Sequence, residues 1–143
     1  MTVGIQLGSV TDEIGSGDFL HAFFSSISGN LEADGWGTRF PTLVGKLYGG
    51  ELHQDDAIAA LSELNQVKQD LAQLPPSRVI WDIEHRDKAP PWGGKISADI
   101  TNLSNYFLTS TGRDLIDVLK EILEELRDRG GVIKVTELQM HKP

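Results

Sequence analysis

The sequence predicts an α+β domain, on three observations. Apolar residues alternate with period two near both ends and again around Trp81, three long apolar stripes recur at helical spacing between them, and Gly or Pro punctuates most junctions. With 143 residues, the chain has the commonest size for one domain and buries roughly 70% of its unfolded surface on folding, so a single domain spanning 1–143 is expected. The simplest architecture is a sheet of about four strands packed with three or four helices, which cover one face or both. Strand order is not legible at this level.

Val3, Ile5 and Leu7 alternate with Gly4 and Gln6, the pattern of a strand with one buried face. Gly15, Ser16 and Gly17 then form a turn, with Ser16 or Asp18 available as the cap of a helix carrying Phe19, Leu20, Phe23, Phe24, Ile27 and Leu31. After a turn at Asp34, Gly35, Trp36 and Gly37, Pro41 suits the first position of a short helix bearing Leu43, Val44, Leu47 and Tyr48. A longer helix starts at about Asp55, places Ala57, Leu61, Leu64, Val67, Leu71 and Leu74 on one stripe, and stops at Pro75 and Pro76.

Val79, Trp81 and Ile83 alternate with Ile80, Asp82 and Glu84, which predicts a second strand. From Arg86 to Asn102, Pro90, Pro91, Gly93 and Gly94 prevent regular structure and leave a long connection containing Trp92. Tyr106, Phe107 and Leu108 read as a short aromatic strand. Thr111 and Asp114 then stand at capping-box-like spacing before a helix with the stripe Leu115, Ile116, Leu119, Ile122, Leu123 and Leu126. Gly130 and Gly131 close it, and Ile133 with Val135 gives a last strand.

Composition narrows the function. Hydrophobic residues make up 39% and charged residues 24%, values of an ordinary globular chain, which exclude wholesale disorder and a coiled coil. No apolar run approaches the roughly 20 residues that span a bilayer, and the first residues lack the basic-then-apolar pattern of a signal peptide, so a cytoplasmic protein without a membrane partner is expected. The absence of cysteine excludes disulfides, thiolate nucleophiles and cysteine-ligated zinc. A formal charge of −8 repels phosphate backbones; nucleic acid is a poor partner, and basic proteins are better ones. The same charge also serves simple solubility.

Several constellations merit weighing, each against an ordinary structural role. In a strand, Asp82 and Glu84 would project to one face with Cα atoms about 6.5 to 7 Å apart, a pair able to bind a divalent metal or to belong to an acidic partner-facing patch. His21, His53, His85 and His141 show no local metal-ligand spacing, and His21, beside the first stripe, reads as a partly buried hydrogen-bonding residue. The turn at Gly15, Ser16 and Gly17 is surrounded by Asp12, Glu13 and Asp18 and lacks a lysine, so it is a helix cap rather than a phosphate cradle. Trp36 and Trp92 lie in Gly- and Pro-containing loops near Asp34 and Asp87; such residues either pack their own loops or form an interface hot spot. On the last helix, like-charge neighbours such as Asp117 and Glu121, or Glu121 and Glu125, each cost about 0.2 to 0.5 kcal/mol in isolation, which a cationic partner would offset.

The phrases Ile14-Gly15-Ser16-Gly17-Asp18-Phe19-Leu20-His21 and Gly35-Trp36-Gly37-Thr38-Arg39-Phe40-Pro41 resemble the immunity protein 70 family of bacterial polymorphic toxin systems. Val79-Ile80-Trp81-Asp82-Ile83, Pro90-Pro91-Trp92-Gly93, Ser104-Asn105-Tyr106-Phe107 and Gly112-Arg113-Asp114-Leu115 are similar to that family in the same order. The resemblance implies a cytoplasmic antidote that binds and blocks the C-terminal domain of a secreted or contact-delivered toxin, with no catalysis and no cofactor. Charge, loop position and aromatic content make Asp82, Glu84, Asp87, Trp92, Trp36, Glu121 and Glu125 the candidate partner contacts. Acidic steering suits a toxin that is a nuclease with a basic substrate groove. The alternatives are a small metal-dependent hydrolase built on Asp82 and Glu84, and a subunit whose sole task is assembly with a permanent partner or with itself.

Overall fold

A computed structural model of the chain describes residues 1–138; His141 lies outside the described residues. Two strands open it, β1 (Thr2–Leu7) and β2 (Val10–Ser16), joined by a two-residue turn in which Gly8 takes φ 61°. Helix α1 (Gly17–Leu31) follows, then a π-helical segment at Pro41–Leu47, strand β3 (Glu51–His53) and helix α2 (Ala57–Leu71). After a long irregular stretch, helix α3 (Leu115–Arg129) leads into β4 (Val132–Leu138). The four strands form one antiparallel sheet in the order β2-β1-β4-β3. A four-stranded α+β domain with three α-helices and one π-helical segment matches the expected architecture.

Register explains which face is buried. Ile5 pairs with Val135 and Leu7 with Ile133, which in turn faces Leu52 across β3, so these apolar residues share one face. Gln6 pairs with Lys134, and Lys134 with Glu51, leaving the other face polar. The core between sheet and helices is completed by Phe19, Phe23 and Phe24 of α1 and by Phe107, whose ring meets Phe23 edge-to-face at 5.2 Å. Helix α2 packs on α3.

Several details depart from the sequence reading. Strand β2 was not anticipated because its residues are nearly all polar or exposed; only Ile14 is buried, placed inward by a bulge opposite Val3 and Gly4. A Cβ on Gly4 would lie 2.9 Å from the Asp12 carbonyl oxygen, so the bulge needs glycine there. The residues 79–84 do not form a strand, and Tyr106, Phe107 and Leu108 do not form one either: Tyr106 follows a 3-10 turn at Leu103–Asn105, and only an isolated bridge joins Leu108 to Asp114. Asp114 itself, rather than Thr111, caps α3 by accepting from the Ile116 amide at 2.9 Å.

Candidate functional site

Helix α1 organises the site because three of its faces do different work. Its aromatic residues enter the core, while Ser25 and Ser26, both fully buried, face the segment that follows Arg78. The Ile80 amide donates to Ser26 Oγ at 3.0 Å and the Ile83 amide to Ser25 Oγ at 3.2 Å, and the Ser26 hydroxyl returns a bond to the Ile80 carbonyl at 3.3 Å. Asn30 Nδ2 holds the Arg78 carbonyl at 3.0 Å. These side chains take the place of a neighbouring strand, which is why an alternating apolar segment remains outside the sheet. Gly29 permits the approach: a Cβ there would stand 2.2 Å from Ile80 Cδ1.

The consequence for Asp82 and Glu84 is direct. A turn closes from the Asp82 carbonyl to the His85 amide at 3.0 Å, so the two carboxylates are not arrayed along a strand face. Asp82 is one-fifth exposed and its oxygens are already engaged. Oδ1 accepts from the Glu84 amide at 3.0 Å and contacts His21 Nε2 at 3.2 Å; Oδ2 contacts His85 Nδ1 at 3.2 Å and lies 3.8 Å from Lys88 Nζ. Partial burial opposes ionisation of Asp82, but the Glu84 amide, His85 and His21 outweigh it and hold the carboxyl below the usual aspartate range. The arrangement expected of a two-carboxylate metal site is therefore absent, and the described residues contain no group of three His, Asp or Glu able to hold a metal.

His21 is a half-buried hydrogen-bonding residue, as its place beside the helical stripe predicts. Its Nδ1 meets the Tyr48 hydroxyl at 2.8 Å, opposite the Asp82 contact. In the neutral ring, a proton on Nε2 serves Asp82 and leaves Nδ1 to accept from Tyr48. The three groups form a hydroxyl–imidazole–carboxylate series. Burial, followed by the charges of Asp18, Asp82 and Glu84, pushes the Tyr48 phenol up, which keeps its hydroxyl protonated as a hydrogen-bonding group.

Above this series lies Trp36, 41% exposed, its ring 5.7 Å from Tyr48 and 6.3 Å from His21, with Tyr48 stacked at 4.4 Å on core residue Phe24. The loop that carries Trp36 is fixed by Glu32, a buried carboxylate that accepts from the amides of Gly37 (3.0 Å), Arg39 (3.1 Å) and Phe40 (3.0 Å). A second carboxylate, Glu63 of α2, accepts from the Thr42 and Leu43 amides and caps the π-helical segment. Neither Glu32 nor Glu63 was singled out from the sequence. The available signal was Glu32 itself, an acid at a helix C-terminus, where the macrodipole disfavours one unless it has a specific partner.

The remaining candidate contacts fall elsewhere. Trp92 is 37% exposed, but it donates from Nε1 to the Tyr106 hydroxyl at 2.8 Å and packs edge-to-face on Trp81 at 5.3 Å, so it pins the long connection to the core. Asp87 is exposed on that connection. Glu121 pairs with Arg113, and Glu125 with Arg129 at 3.0 Å. Both border a cleft of about 650 Å³ between the β1–β2 turn and α3, where Val10 is 62% exposed. The seven predicted contacts thus divide among three places: Trp36, Asp82 and Glu84 around His21, Trp92 and Asp87 on the connection, and Glu121 and Glu125 on α3.

No helix among the described residues is long and apolar enough to cross a membrane. No curated protein and no solved structure matches the chain. The model of the Immunity protein 70 family matches residues 5–135, a span that takes in β2, β3, parts of β1 and β4, the three α-helices and every residue of the His21 cluster, and the chain belongs to that family.

Proposed function

We propose that the protein acts in the cytoplasm as the antidote to a secreted or contact-delivered bacterial toxin, holding the toxin's C-terminal domain and blocking it by contact alone. The family match carries this reading. Further support comes from the site: an exposed tryptophan on a loop held by Glu32, near carboxylates that form no ion pair among the described residues, suits protein recognition, because an ordered anchor loses little entropy on binding. A nuclease is the toxin class that the acidity fits best, since a substrate groove evolved for phosphate is basic.

The test is to co-express the chain with the toxin domain encoded beside its gene and count survivors, then titrate the purified pair by calorimetry. Protection with tight binding is expected. Growth arrest despite full expression of the chain, or no heat of binding, would refute the reading.

A further inference from the structure

Of the carboxylates around His21, one is engaged by internal partners and two face solvent, Asp18 from the first turn of α1 and Glu84. Asp82 is saturated by internal donors. Asp18 and Glu84 are exposed and take part in no ion pair among the described residues. Asp18 lies three residues before His21 on α1 and so shares its helix face, while Glu84 is tied through its amide to the same Asp82 oxygen that contacts His21. Both carboxylates help to push the Tyr48 phenol up, in keeping with their place beside His21. The Trp36 ring joins the same cluster, 6.3 Å from His21 and 5.7 Å from Tyr48. The cations nearby are Lys88, 3.8 Å from Asp82 with His85 beside it, and Arg86, whose guanidinium lies against α1 at Gly29; Asp18, Asp82, Glu84 and Asp87 outnumber them. Negative charge is therefore in excess, and an aromatic face adjoins it.

We propose that this surface is the receptor for a single arginine side chain of the toxin domain, the guanidinium stacking on Trp36 and donating to Asp18 and Glu84. The inference rests on the antidote reading and specifies the chemistry by which it operates. A guanidinium fits better than an ammonium because its plane can lie on the indole while its fork of N–H donors meets two carboxylates. The cleft bordered by Glu121 and Glu125 lacks this imbalance, since Arg113 and Arg129 already neutralise those acids.

The experiment titrates the full chain with a catalytically silenced toxin domain, comparing wild type with Trp36→Ala, Asp18→Asn, Glu84→Gln and Glu121→Gln. All four replaced residues are exposed, and unchanged unfolding midpoints establish that the fold is intact. Trp36→Ala is expected to weaken binding by about tenfold or more, Asp18→Asn and Glu84→Gln by about three- to tenfold each, and Glu121→Gln by less than about twofold. Acetylating the toxin's lysines should leave these differences in place, whereas blocking its arginines with a 1,2-dicarbonyl reagent should abolish them. Tight wild-type binding that none of the first three variants weakens would overturn the arginine receptor and leave the antidote reading standing. Loss with Trp36→Ala alone would also overturn it, in favour of an apolar anchor. Absence of wild-type binding would remove both.

Discussion

Glu32 sits at the end of α1, where the helix dipole opposes a carboxylate, and it is almost fully buried. Three loop amides compensate. Replacing it by Gln keeps the shape but turns charge-assisted bonds into weaker ones and sets an NH2 group against donors. Glu32→Gln should cost about 2 kcal/mol or more in urea unfolding and should loosen toxin binding through Trp36, while Glu84→Gln leaves stability unchanged. An unaltered midpoint for Glu32→Gln would show that the loop is held by other means. Two aspartates give a pH signature of opposite sign. The folded value of Asp82 is depressed, so its contribution is present at neutral pH and is lost as pH falls below the usual aspartate range. Asp114 is raised, first by burial and then by Asp117, so its contribution grows as pH falls from its raised value into that range. Asp82→Asn should flatten the acid limb of the stability curve, and Asp114→Asn, which keeps a capping side chain, should remove the gain that precedes it. Urea midpoints followed against pH test both; curves parallel to wild type would contradict the assignments.

At the scale of elements, the segment 79–83 is informative because its backbone is satisfied by side chains of a helix. Ser26→Ala leaves the Ile80 amide and carbonyl without a partner, at a cost of about 1 to 3 kcal/mol, and the Ile80 amide should exchange with solvent faster than those of β1. Equal protection in wild type and variant would mean that water or a shifted backbone takes over. The same segment shows what was legible in the sequence. Helices α1, α2 and α3 were, since each carries a long apolar stripe with a cap or a proline stop. So were β1 and β4. By contrast, alternation in 79–83 describes a chain with one buried face, which a groove on a helix supplies as well as a sheet does; the clue lay in Ser25 and Ser26, polar residues inside the apolar stripe of α1. Strand β2 escaped because an edge strand with a single buried residue has no period to read. Of the site, Trp36, Asp82 and Glu84 were recognisable as a loop aromatic and paired acids, but their convergence on His21 and Tyr48 depends on contacts spanning 27 and 61 positions, which no local pattern encodes.

Over the whole molecule, the charge of −8 divides into two populations. Glu32, Glu63 and Asp114 serve as acceptors for loop and helix amides, and Asp70, Glu121 and Glu125 are matched by arginines. These acids contribute to stability or to the interior of the surface network and project little field. Asp18 and Glu84 beside the His21 cluster lack such partners among the described residues, as do Asp87 on the connection and Asp34, Asp117 and Glu124 elsewhere, so the Trp36 surface supplies part of the field that a docking toxin meets. Long-range attraction of this kind accelerates encounter and is screened by salt, whereas the stacked, desolvated contact that follows governs departure. Stopped-flow association with the toxin domain should therefore slow by about tenfold or more between low salt and 0.5 M, roughly the span that steering commonly supplies, with the dissociation rate changing far less. In the Asp18→Asn, Glu84→Gln double variant the salt dependence of association should shrink; in Trp36→Ala it should persist while dissociation quickens. An association rate indifferent to salt in the wild type would mean that the net acidity serves solubility alone, and a Trp36→Ala variant that lost the salt dependence would mean that encounter and anchoring are not separable on this surface.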